Sequence, residues 1–102
     1  MTYKQNRTEV NAVDIKTMSE FLNTQLSARD HNVMVYRFGL TGNRPMSLRE
    51  VGKLMWLSIE GVRHVELDAM VKLRKFLSEK AMRQSKENNT LLERTEIKDV
   101  RG

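Results

Sequence analysis

At 102 residues, with 39% hydrophobic and 30% charged side chains, the chain is expected to form one modest domain with polar ends. The absence of cysteine excludes disulfides, thiolate metal ligands and a cysteine nucleophile; no apolar run approaches the ~18–20 residues that span a bilayer, and no signal-peptide core opens the chain, so the expected location is the cytoplasm. A net charge of +5 favours a polyanionic partner, but 13 acidic residues against 18 basic ones require any DNA-binding face to be local.

Residues 1–8 are polar apart from Tyr3 and read as a frayed lead-in. Val13, Met18, Phe21, Leu22 and Leu26 then recur at helical spacing, with Asp14 and Glu20 on the wet side, and predict one amphipathic helix over residues 10–23. Residues 1–25 are thus a lead-in and a helix. Ser27 followed by Asp30 marks a second helix start. Val33, Met34 and Phe38 follow at helical spacing beside Tyr36 and Arg37, and Gly39 suits the left-handed residue that ends a helix. Thr41-Gly42-Asn43-Arg44-Pro45 is a loop by its turn residues and its proline.

The stretch Ser47–Lys75 organises the rest. Ser47 and Glu50 form a capping box, and Leu48, Val51, Leu54 and Met55 fall on one side of the helix it starts. Ser58 is an N-cap for a further helix, in which Val62, Val65, Ala69, Leu73 and Phe76 make one apolar stripe. Glu60, Arg63, His64, Lys72 and Lys75 lie off that stripe. A short capped helix, a tight turn and a longer helix with a basic outer face is the helix-turn-helix outline, though two core helices of any bundle share it. After Leu77 the stripe fades; Lys80, Arg83 and Lys86 prolong a basic edge, and Glu87-Asn88-Asn89-Thr90 predicts a break. Residues 78–102 are therefore expected to be a basic extension and a flexible polar tail, anchored at most by Leu91, Leu92, Ile97 and Val100. The fold class is all-α.

Taken together, these residues resemble region 4 of the bacterial sigma-70 family, the module that reads the promoter −35 element. Leu26-Ser27-Ala28-Arg29-Asp30 is similar to the family's L-[TS]-x-R-E helix start, and Arg37-Phe38-Gly39-Leu40 to its R-F-G-L helix end. Ser47-Leu48-Arg49-Glu50-Val51-Gly52-Lys53 is similar to T-L-E-E-[VI]-G-K. Ser58 to Glu66 resembles [TS]-R-E-R-[VI]-R-Q-I-E, and Lys72-Leu73-Arg74 the closing K-L-R. The response-regulator type of helix-turn-helix also begins with L-[TS]-x-R-E. It generally runs from a glycine straight into the next helix, whereas here a longer Leu40–Met46 loop intervenes.

The resemblance implies that the second helix of the pair lies in the major groove, with Ile59, Glu60, Arg63 and His64 towards base edges. It makes Arg37, Lys53 and Arg44 candidates for phosphate contacts. It also implies a grip on the flap of the RNA polymerase β subunit, for which Val33, Tyr36, Phe38, Leu40 and Leu54 are candidates; the same residues would equally form the core of a small helical domain. Ile59, Gly61 and His64 stand where the family commonly has arginine, arginine and glutamine, which removes two cations from the first turns. Trp56 is expected in the core. Region 2 of the family, which opens the −10 element, has no counterpart in these residues. The expected arrangement is a split sigma factor, bacterial or phage-encoded, whose region-2-like part is a separate chain. A stand-alone regulator and a polymerase-binding adaptor without DNA recognition are the alternatives.

Nothing points to an enzyme, a cofactor, a membrane or a small-molecule ligand. His31 and His64 lie on different helices without acidic neighbours at metal-site spacing. Ser27, Ser47 and Ser58 are explained by capping, and Glu66 and Asp68 face different ways on one helix.

Overall fold

The computed structural model describes the backbone of residues 2–101 and the side chains of residues 6–83. Five helices follow in order, with no strand among the described residues: α1 (Thr2–Ala12), α2 (Ile15–Gln25), α3 (Ala28–Phe38), α4 (Leu48–Met55) and α5 (Ile59–Arg101). The break expected at Glu87–Thr90 is corrected: α5 runs through these residues to Arg101, although the side chains after residue 83 lie outside those described.

Local chemistry sets the ends of these helices. Ser27 in extended backbone accepts the Asp30 N–H and starts α3, and Gly39 ends it in the left-handed region at φ 64°. Ser47 and Glu50 complete both halves of the capping box of α4 at 3.1 and 2.9 Å. Ser58 Oγ accepts the Gly61 N–H at 2.9 Å and caps α5. Between α4 and α5 the Leu57 N–H closes on the Gly52 carbonyl at 2.8 Å. A Cβ at Gly52 would stand 2.6 Å from the Leu57 carbonyl oxygen, so only glycine lets this turn approach so closely.

Two sequence expectations are corrected before α3. Residues 2–8 are helical, and the single helix expected over 10–23 is two helices meeting at Val13–Asp14. The cause is Asp14, whose carboxylate accepts the Thr17 N–H at 2.8 Å and the Thr17 hydroxyl at 3.0 Å, a cap that restarts the chain as α2.

The core has two parts. In one, Val10 of α1 and Met18, Phe21 and Leu22 of α2 pack on Met34, Val35 and Phe38 of α3 and on Ala69, Met70 and Leu73 of α5. Phe21 and Phe76 meet with ring centroids 5.6 Å apart. In the other, Val33, Val51, Val62 and Val65 lock α3, α4 and α5 together. Between them lies a buried polar junction. Glu66 accepts Asn6 Nδ2 and Arg37 Nε at 2.8 Å each, and Arg37 Nη1 also reaches the Met46 carbonyl at 2.9 Å. Among the described residues no buried side-chain nitrogen or oxygen lacks a partner, as burial of polar groups demands.

Trp56 departs from the core position expected of it. It is the left-handed cap of α4 at φ 59°, and this turn carries the indole out to 95% exposure. Leu54 is likewise about half exposed, off the buried side of α4.

Candidate nucleic-acid interface

The Ser58 cap and the second part of the core fix how α5 begins. With Val62 and Val65 turned inward, Glu60, Arg63 and His64 must emerge on the opposite side, and all three are exposed. Ile59, the first residue of α5, is about half exposed. Arg63 and Glu60 approach to 3.6 Å as a solvent-exposed pair, which holds the arginine weakly and leaves it able to turn to another partner. A side chain at position 61 would start 3.2 Å from Ser58 Oγ, so this position faces the turn and not the outer face of the helix.

The phosphate candidates separate. Lys53 is exposed on α4. Arg44 is exposed in the loop before α4 and reaches Glu50 at 3.2 Å. The Glu50 carboxyl is held below its ordinary range, chiefly by the hydrogen bonds from Ser47 and then by Arg44. Arg37 does not belong with them. It is buried against Glu66 and Met46 and serves the junction between helices instead of the surface. A shallow groove beside Ile59 is lined by Arg7, Arg37 and the segment from Pro45 to Glu50. Arg49 on this groove went unread in the sequence, although its place after the Ser47 cap puts it at the exposed start of α4. Arg7 had no local signal, because α1 itself was not anticipated.

The candidates for polymerase contact divide in the same way. Val33 and Phe38 are buried and hold the core, and Tyr36 and Leu40 are partly buried against it. Phe38 and Leu40 nevertheless form one wall of an apolar cleft of about 370 Å³, together with Val35 of α3. Val10, Val13, Ile15, Met18 and Leu22 form the facing wall. Ile15, at 89% exposure, stands on its lip. Leu54 does not line this cleft.

Part of the chain is similar to RNA polymerase sigma factors. It is 42% identical over 55 residues to the RNA polymerase sigma-C factor of a Nostoc species, which is 54% of this chain and 13% of that protein. It is 38% identical over 65 residues to the RNA polymerase sigma factor RpoS of Coxiella burnetii, 64% of this chain and 18% of that one. A chloroplastic sigma factor of Arabidopsis thaliana is 47% identical over 49 residues, or 48% of this chain and 12% of its own. The chain thus spans less than a fifth of the length of these relatives. No solved structure matches. The model of the family described as Sigma-70, region 4 matches residues 24–75, from the last turn of α2 through the exposed start of α5, and the chain belongs to that family.

Proposed function

We propose that this chain is the promoter-reading and polymerase-docking part of a sigma factor active in transcription initiation. The observation that carries the reading is the outward display of Glu60, Arg63 and His64 from a capped helix. A helix presented in this way fits the major groove, where arginine pairs with guanine O6 and N7 and glutamate accepts from cytosine N4. Lys53 and Arg44 hold the adjoining phosphates. The apolar cleft between α2 and α3 seats a helix of the polymerase β flap, with Phe38 and Leu40 as one wall. A separate chain, bacterial or phage-encoded, supplies the region-2-like function.

A pull-down with bacterial core polymerase, with and without the β flap tip, tests this. Retention that disappears with the tip is the expected result. Retention on DNA with no binding to either polymerase would sink the reading and leave a stand-alone regulator. An adaptor without DNA recognition is favoured by one observation, that Ile59 opens α5 without a cation. Arg63→Glu decides between the two: a promoter reader loses promoter binding, and an adaptor tolerates the change.

A further inference from the structure

The helix that precedes the family match reaches the same face of the molecule. Asn6 of α1 is buried, donating to Glu66 at 2.8 Å, and Glu9 receives Arg74 at 2.7 and 2.9 Å. These two contacts pin α1 against α5 on either side of Arg7 and Thr8. Arg7, next to the buried Asn6, is exposed and lines the shallow groove that Ile59 and the start of α4 also line. Among the described residues it has no ion-pair partner, and neither does Arg49 on the same groove. The one acid there, Glu50, is already engaged by Arg44 and by the Ser47 N–H. The capping box has likewise taken up the Glu50 N–H, and the charge that draws an anion to this groove is that of its arginines.

We infer that Arg7 is a DNA-positioning residue, a cation carried by α1 that contacts a backbone phosphate beside the first turn of α5. The inference rests on the DNA-binding reading above and extends the interface beyond residues 24–75. A guanidinium anchored one residue from a buried hydrogen bond gives up little freedom on meeting a phosphate, and it acts without regard to base sequence.

The test is the salt dependence of binding by the full chain to a random-sequence duplex of about 30 base pairs, read by fluorescence anisotropy. Arg7→Gln is expected to weaken binding at least about threefold at low salt and to lower the slope of log affinity against log salt by ~0.9. Lys16→Gln, the same loss of charge on α2, should leave the slope alone. Arg63→Gln separates the two readings. If Arg63→Gln weakens binding while Arg7→Gln matches the parent chain, the role of Arg7 falls and DNA binding stands. If the parent chain shows no salt-dependent binding, both fall. An unchanged melting temperature for Arg7→Gln, expected of an exposed side chain, assigns any loss to the contact and not to folding.

Discussion

Arg37 and Glu66 lie 29 residues apart in sequence and meet at 2.8 Å in the interior. Removing one partner of such a pair leaves the other charge buried, at a typical cost of about 3–5 kcal/mol. Arg37→Met is therefore expected to lower the free energy of unfolding by that order, measured by urea denaturation. Arg37→Met with Glu66→Leu should recover part of the loss, because no charge is then stranded; equal losses in both would show that the carboxylate is not buried in solution. Trp56 poses the reverse case. A large apolar side chain held left-handed at φ 59° and left in water adds nothing to the core. Trp56→Gly should raise stability by about 0.5–1 kcal/mol, checked by thermal melting. The two residues also mark where sequence reading stops. An arginine beside an apolar run looks like a surface cation until its distant carboxylate is found, and a lone tryptophan looks like core until the turn beneath it aims it outward.

At the scale of elements, the helix ends were the most legible feature. Ser27, Gly39, Ser47 and Ser58 act within a few residues of themselves, so their roles need no tertiary knowledge. Asp14 is a signal of the same kind, but the apolar spacing running from Val10 through Met18 to Leu22 bridges the break and concealed it. The start of α5 and its outward residues were legible for the same local reason; the facing wall of the apolar cleft was not, since it comes from helices that meet only in the fold. Ser58→Ala removes the cap that presents Glu60, Arg63 and His64, and should cost about 0.5–2 kcal/mol. Amide exchange in the first turn of α5 would rise with it, while the interior turns near Met70 keep their protection.

For the molecule as a whole, three carboxylates sit below their ordinary range, one joining α1 to α5 and two capping helices. Glu9 is lowered mainly by its hydrogen bonds from Arg74, Asp14 by the Thr17 N–H, and Glu50 by the Ser47 N–H. Groups depressed on folding contribute stability above their unfolded values, 4.5 for glutamate and 3.8 for aspartate, and that stability is lost as the pH falls below them. Urea midpoints should accordingly be flat from neutral pH down to about 5 and decline further into acid; Glu9→Gln should flatten part of that decline. The packing of α1 and α2 has a practical corollary. A fragment cut to residues 24–75 would keep the whole family match and lose Val10, Met18, Phe21 and Leu22 from beneath Met34, Met70 and Leu73. It would also strip Glu66 of its Asn6 donor. Such a fragment should express as an aggregation-prone, loosely ordered species. The boundary of the family match falls inside the piece that folds, and any minimal version of this protein has to begin upstream of Asn6.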